Sequence, residues 1–513
     1  MKTWISSLLF LICLAAGSIF PGRTTTDSLP GLPESADSLL DLAPATTLAA
    51  VEFRDLDRRW AEVRRISALG AVQDVFLSDA GIAPDRVPAL CGERTLFMLV
   101  PAPEVPYVLP VLLLQPHDRG EALRVLESSR GIHYFETRGA LWLGPLAAAE
   151  TLEQIAHRGG SGLRAVLPIA EMDARLQAGG LARGYVQPRA WAELLSRLAE
   201  RTNFEFPRWI ASWLQTELLA MRYIVFRRDI SGGGIETEAL AAYDLARLPA
   251  EVARIFAPDR PEAPDLPFLP AGTFASVAFL PEADAWVPWL RHLAARDPHG
   301  SMRNLGFQLD EFEKRFRRDL RRDLCAAIGE RGWIFLLEEE RSNSASAFAL
   351  IGTRPSPTLE STLADLLVWG GEQVWIESLG AVIPRCWART EHGITIHGMD
   401  LWTPLGRRTV LVFALVGRYL VLAGSEATLR TGLEYAGNLP NLETLAGSGA
   451  HAGMQVQGDA LSRIVDPWLA LAGRMDGRWP YAATRLLADL KGARMDVRYE
   501  SDAVRFEGRV QFR

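Results

Sequence analysis

The chain has 513 residues, of which 48% are hydrophobic and 23% charged, close to ordinary globular usage, which excludes disordered, collagen-like and polytopic membrane chains. At about 150 residues per domain the length allows two to four domains. The 62 acidic residues against 55 basic ones give a net charge of -7, too even for a nucleic-acid binder, in which a basic domain or face is expected.

Lys2 is followed by an apolar run from Trp4 to Phe20 that ends near the small residues Ala15, Ala16, Gly17 and Ser18. Residues 1–20 read as a secretory signal cut near Gly17 or Ser18, or as an N-terminal anchor, since a run of this length stands at the short limit of what spans a bilayer. Ile12 directly before Cys13 does not suit lipoprotein processing. Residues 21–43, rich in Pro, Gly, Ser, Thr and Asp, read as a flexible tether. The predicted location is the periplasm, or the inner membrane with the chain facing the periplasm. Later apolar stretches are too short or too interrupted to span; Thr409 to Ala423, broken at Gly417 and Arg418, reads as two strands and a turn.

The most informative pattern is internal repetition. Pro44-Ala-Thr-Thr-Leu-Ala-Ala-Val-Glu-Phe53 and Pro270-Ala-Gly-Thr-Phe-Ala-Ser-Val-Ala-Phe279 share Pro, Ala, Thr, Ala, Val and Phe at matching places. Both alternate as strands do and lead into amphipathic helices, with Leu56, Trp60, Val63 and Ile66 in one and Trp286, Trp289, Leu290 and Leu293 in the other. Gly92-Glu-Arg94 precedes the strand Thr95 to Val100, and Gly329-Glu-Arg331 precedes Trp333 to Leu337. Second strands follow, Tyr107 to Leu114 and Ala345 to Ile351, and then Gly139 to Leu143 matches Gly417 to Val421. Pro207 and Pro480 open helices that lead to the hairpins Tyr223 to Tyr243 and Met495 to Phe512. The expected organisation is a first repeat over 44–257, a proline-rich linker over 258–267 and a second repeat over 268–513 carrying an insert at about 372–408. Tight turns between strands imply antiparallel pairing, so the expected class is α+β, a tandem duplication of a domain whose mainly antiparallel sheet is covered on one face by helices.

Motifs with a mechanism are scarce. The sequence contains no HExxH, P-loop, EF-hand loop or CxxC pair. Gly160-Ser-Gly162 and Gly447-Ser-Gly449 lack the glycine spacing of a nucleophile elbow and read as turns. His392 and His397 fall five apart on an expected strand and point to opposite faces, which does not clamp one metal. Cys91, Cys325 and Cys386 read as buried thiols, with a Cys325–Cys386 disulfide as the alternative. The run Glu311 to Asp323 reads as a core-packed helix, because Phe312, Phe316, Leu320 and Leu324 recur every four residues beside the i,i+4 pairs Asp310–Lys314, Glu311–Arg315 and Glu313–Arg317. Most of the fifteen tryptophans, such as Trp209 with Trp213 and Trp286 with Trp289, are expected in cores, with the wall of an apolar pocket as the alternative. The two Gly-Glu-Arg motifs suit structural turns; as ligand sites, Glu93, Arg94, Glu330 and Arg331 are the candidates. No cofactor, metal or catalytic residue is expected.

The signal segment and tether, Pro44 to Phe53 with Arg54-Asp-Leu-Asp57, the Gly92-Glu93 turn and the strand pair after it resemble a family of exported bacterial proteins called domain of unknown function 3352. The resemblance covers most of residues 44–450 and implies an envelope location and this architecture, with no activity or ligand attached. The functional expectation is a non-enzymatic envelope protein that binds or scaffolds a partner. The alternatives are a periplasmic carrier of lipid or another apolar ligand, and a hydrolase whose site is dispersed in sequence.

Overall fold

A computed structural model describes most of residues 39–512; residues 1–38, 66–81, 202–217, 440–448 and 464–488, with several shorter stretches, lie outside the description. The signal segment, most of the tether and the helices expected after Pro207 and Pro480 therefore fall outside it. The fold is α+β, with helices interspersed among strands whose described pairings are antiparallel. The chain divides into two compact units: the chain up to Arg247 with Val465–Met495 and Asp502–Arg513, and Leu248–Ile464 with Asp496–Ser501.

In the first unit the tether ends earlier than residue 43. Leu39–Leu42 form a short helix, α1, and Leu39, Leu40 and Ala43 are buried in the core. The Thr47 amide then donates to the Pro44 carbonyl at 3.0 Å, turning the chain into β1 (Ala49–Arg54) and α2 (Leu56–Arg65). The elements that follow are β2 (Arg94–Pro101), β3 (Val108–Leu114), α3 (Arg119–Glu127), β4 (Ile132–Thr137), β5 (Ala140–Pro145), α4 (Ala149–His157), α5 (Leu163–Val166) and α6 (Ile169–Ala174). Next are β6 (Ala182–Val186), α7 (Pro188–Arg201), β7 (Met221–Ser231) and β8 (Gly234–Tyr243). Pairings place the strands in the order β4-β5-β3-β2-β1-β6-β7-β8.

Directly paired residues share a face of an antiparallel sheet, and one row changes character as it crosses this one. From β3 to β8 it reads Leu113, Leu96, Glu52, Arg183, Arg227, Glu238. The apolar end joins Leu152, Met172 and Trp142 in the core. The ionic end is met by α6 and the residues after it: Asp173 pairs with Arg183 at 2.8 Å, and the Gln177 amide donates to Glu238 at 3.2 Å. Buried charge is tolerated here because each side chain in this cluster gains at least one partner of opposite sign or a backbone donor.

The second unit starts in the same way, the Thr273 amide donating to the Pro270 carbonyl at 3.2 Å ahead of β9 (Thr273–Phe279). The helices α8 (Ala283–Arg296) and α9 (Arg303–Phe316) lead to β10 (Ile328–Glu339), β11 (Ser344–Thr353) and α10 (Leu359–Glu377). After them run β12 (Ile383–Glu391), β13 (Ile394–Thr403), β14 (Gly406–Val416), β15 (Tyr419–Ala423), α11 (Glu426–Asn438) and β16 (Ala452–Gln457). The order is β12-β13-β14-β15-β11-β10-β9-β16. Its middle repeats the first unit in register: Val51 faces Phe97, which faces Leu112, and Val277 faces Ile334, which faces Ala349. The difference lies at the edge. Between α3 and β4 the first unit has only a short link, whereas the second extends the helix to 19 residues and inserts the β12–β13 hairpin outside β14.

The last two strands are β17 (Leu490–Tyr499) and β18 (Ala503–Phe512), and the boundary between units falls within β17, after Met495. β18 pairs with β8 from Ala503↔Ala242 to Gln511↔Gly234. The strand read in the sequence as closing the second repeat thus extends the sheet of the first unit. Alternation of apolar and polar residues along a strand such as β18 distinguishes its faces and leaves its neighbour open.

Candidate functional site

The two Gly-Glu-Arg motifs are built around their glycines. A Cβ on Gly92 would lie 1.8 Å from the Gln115 carbonyl oxygen, and one on Gly329 would lie 2.8 Å from the Gly352 backbone. Each glycine lets the chain entering β2 or β10 pass against the end of the neighbouring strand, which is close approach of backbones rather than the tight turn expected. Glu93 and the side chain of Glu330 lie outside the described residues. Arg94 and Arg331, both half-buried, stand in β2 and β10 of different units.

The other sequence candidates resolve into local structure. His392, expected on a strand, occupies the turn between β12 and β13 with φ 51°, followed by Gly393 with φ 80°. His397 lies in β13, stacked on Phe413 at 4.7 Å between ring centres, with its Nε2 2.9 Å from Glu360 Oε1. Among the described residues no group of three or more His, Cys, Asp or Glu side chains could hold a metal ion. Gly162 begins α5, where a Cβ would meet the Asp41 carbonyl oxygen at 2.3 Å, and Gly449 has φ 74° with its amide donating to Glu262 at 2.9 Å. Ser161 and Ser448 lie outside the described residues.

The charged run does not continue as one helix. α9 stops at Phe316, Arg317 takes φ 52°, and Leu320–Leu324 form a π-helical turn. Asp319 accepts from the Arg322 amide at 3.0 Å, and Asp323 accepts from the Asp319 amide at 2.9 Å. Such local side-chain bonds compete with helix propagation. Prominent ion pairs here reach across elements instead of along α9: Arg291 to Asp310 at 2.7 Å and Glu313 at 2.9 Å, Arg315 to Glu372 at 2.5 Å, Arg318 to Asp365 at 2.7 Å. Phe312 and Leu320 remain core residues as expected. A cleft of about 580 Å3 opens beside Val287, Pro288, Arg291, Arg318 and Arg321. Two of its three arginines are already engaged by the carboxylates just named.

The three cysteines among the described residues are free thiols, Cys91 and Cys325 buried and Cys386 exposed. Burial pushes the thiols of Cys91 and Cys325 up to about 12. Of these three, Cys386 is expected to be modified first by an alkylating reagent in the native protein at pH 8, and Cys91 and Cys325 only on unfolding, as peptide mapping would show. A folded pKa above the unfolded value also fixes a sign: this contribution to stability is whole below pH 9 and is lost as pH rises toward 12. The urea midpoint should fall across that window, and a midpoint that stays level from pH 9 to 11 would contradict these buried positions. Tyr185 and Tyr435, also raised chiefly by burial, act in the same direction.

The feature that packing leaves open lies where the insert begins. Trp375 and Ile376 at the end of α10 are 53% and 55% exposed, Leu379 is 95% exposed, and Ile383 and Trp402 are 52% and 41% exposed. They lie at one end of the insert because only residues 378–382 join α10 to β12: Trp375 and Ile376 belong to α10, which packs on the Pro384, Cys386 and Met399 face of the hairpin, while Ile383 pairs with Trp402 of β13 on the other face. The connecting turn is closed by hydrogen bonds: Gly380 N–H to Trp375 O at 3.0 Å, Leu379 N–H to Ile376 O at 3.0 Å, and Val382 N–H to Ser378 Oγ at 3.2 Å. Leu379 has φ 51°, a left-handed conformation that glycine adopts at no steric cost and leucine rarely takes. A bulky apolar side chain is thus presented outward from a fixed turn. Arg385 lies over the Trp402 ring at 5.2 Å, while Arg407 and Arg408 of β14 pair across from Trp402 and Leu401. Nothing in this group resembles a nucleophile or an acid–base pair; its chemistry is that of a contact surface.

The sequence reading passed over this cluster. Its signal was available: Ile383 and Trp402 lie in the stretch expected as an insert, and of that stretch Ile396 joins the core while these two stay exposed. Among the described residues no helix is long and apolar enough to cross a membrane. No protein-family model, curated protein or solved structure matches the chain.

Proposed function

We propose that the chain is an exported, non-enzymatic protein of the cell envelope, made of two copies of one α+β domain, whose second copy carries the binding surface. The observation that carries this reading is the cluster of Trp375, Ile376, Leu379, Ile383 and Trp402, exposed together at the end of an element that the first unit lacks. Ile396 of the insert joins the core, whereas these five large apolar side chains stay uncovered and stabilise little in their own domain; exposed apolar surface of this kind marks docking sites.

Duplication is supported by the shared strand order β5-β3-β2-β1-β6 and β15-β11-β10-β9-β16, the shared register and the matched approaches at Gly92 and Gly329. The apolar run Trp4–Phe20 after Lys2 supports export and an envelope location, periplasmic or held by an N-terminal anchor. The cleft beside Arg291 is walled by charged side chains and offers little to an acyl chain, so the contact surface is favoured over a carrier's cavity.

A photo-crosslinking residue at position 379 in the full chain is expected to yield adducts in intact cells, while the same residue at the exposed Glu311 yields few. Equal or absent adducts at both positions would remove the binding surface, and recovery of the chain in the cytosol would remove export.

A further inference from the structure

We infer that the occupant of this surface is an anionic lipid bilayer, into whose interface the turn at Leu379 inserts. The inference deepens the binding reading and rests on it.

Three observations favour a bilayer over a protein partner. The surface is a projecting end of α10 and the β12–β13 hairpin, and its most exposed residue, Leu379, stands at the apex of a turn rather than in a groove. The composition is that of an interfacial anchor: Leu379, Ile376 and Ile383 supply aliphatic depth, while Trp375 and Trp402 combine an apolar ring with an indole N–H that suits the headgroup level. Exposed arginines on the two faces of the hairpin complement anionic headgroups, Arg385 beside Trp402 and Arg408 beside Leu401. Arg385 and Arg408 are exposed, and the neighbouring carboxylate of Asp400 is buried, taken by Arg407 at 2.8 Å and Thr409 at 2.8 Å. Long arginine side chains beside apolar anchors reach phosphate while their stems stay in the interface.

The hydrogen-bonded turn strengthens the case. A leucine held at φ 51° costs the fold free energy, and a strained, outward position persists where the side chain has work elsewhere. Because the turn is already closed, insertion orders little additional backbone.

The test uses the full chain with Leu379→Cys carrying an environment-sensitive fluorophore, and Cys13 and Cys386 replaced by serine so that only this thiol is accessible. On vesicles of phosphatidylethanolamine and phosphatidylglycerol the emission should shift to the blue, and at least tenfold less lipid should be needed than with pure phosphatidylcholine. A fluorophore at Glu311→Cys in the same background should keep its aqueous emission. Arg385→Gln with Arg408→Gln should reduce the preference for the anionic vesicles at least threefold, and Leu379→Asp, on a side chain outside the core, should weaken apolar insertion of the chain bearing a reporter at Ile376→Cys. Vesicle-bound chain whose label at 379 stays aqueous would overturn the proposal, because binding would then run through another segment. If that label stays aqueous while position 379 still crosslinks in cells, the surface binds something other than lipid; if crosslinking fails too, the binding reading falls with it.

Discussion

A chain ending at Ser501 should lose the folded first unit, although the residues removed lie more than 250 positions beyond β8 in sequence. β18 pairs with β8 along its length and buries Ala503, Val504 and Phe506. At about 1.5–3 kcal/mol for each large side chain, Val504 and Phe506 alone contribute about 3–6 kcal/mol. The deletion also strips Glu238, 7% exposed, of its ion pair with Arg505, and Arg175 of Asp502, which it meets at 2.8 Å. Removing one partner of a buried pair costs about 3–5 kcal/mol, so the combined loss is comparable to the whole stability of a domain, about 5–15 kcal/mol. Hydrogen exchange gives the direct reading: protection across residues 221–243 should collapse while β13 and β14 keep theirs. Undiminished protection in β7 and β8 would show that β18 does not complete this sheet. Phe506→Ala should give a graded version, about 3 kcal/mol, with the same regional pattern.

The limits of sequence reading here have physical causes. Pro44 and Pro270, with the threonines three residues on, were legible because a local turn and a two-residue alternation are written in adjacent residues. The strand pair around Gly417 was legible for the same reason, whereas the turn at His392 and Gly393 was read as part of a strand. The partner of β18 was not, because alternation distinguishes two faces and carries no information on which edge receives the strand. The charged run misled in a specific way. Its four-residue period is real, but Asp319 and Asp323 bind backbone amides, and Arg315 and Arg318 pair with Glu372 and Asp365 on α10, contacts that no local window contains. Tryptophan spacing was a partial guide: Trp289 is buried at 6% while Trp286 is 37% exposed, and Trp209 and Trp213 lie outside the described residues. The apolar end at Leu379 was hidden because a sequence shows that a residue is apolar, not that the fold leaves it uncovered. Only the lack of a matching stretch in the first unit pointed to it.

Gly92→Ala and Gly329→Ala should both destabilise, but unequally and in different units. A real Cβ at Gly92 would sit 1.8 Å from the Gln115 oxygen, 2.8 Å from its carbonyl carbon and 3.1 Å from the Pro116 Cα, all of them backbone atoms. No rotamer change relieves that overlap, and the end of β3 or the entry to β2 must move by more than an ångström. β2 and β3 are adjacent in the middle of the sheet, with Leu96, Met98, Val111 and Leu113 buried between 0% and 1% exposure, so the displacement spreads into the core. A loss of about 3–5 kcal/mol is expected, above the 1–3 kcal/mol typical of overpacking by a side chain. At Gly329 the contact is 2.8 Å to the Gly352 carbonyl carbon and oxygen, which a shift of several tenths of an ångström relieves, and a loss of about 1–2 kcal/mol is expected. Calorimetry on the two variants should lower the melting of the first unit alone in one case and of the second alone in the other. If both glycines served ligand binding rather than strand approach, alanine would leave both transitions where they are, and the Gly-Glu-Arg motifs would regain their claim as sites.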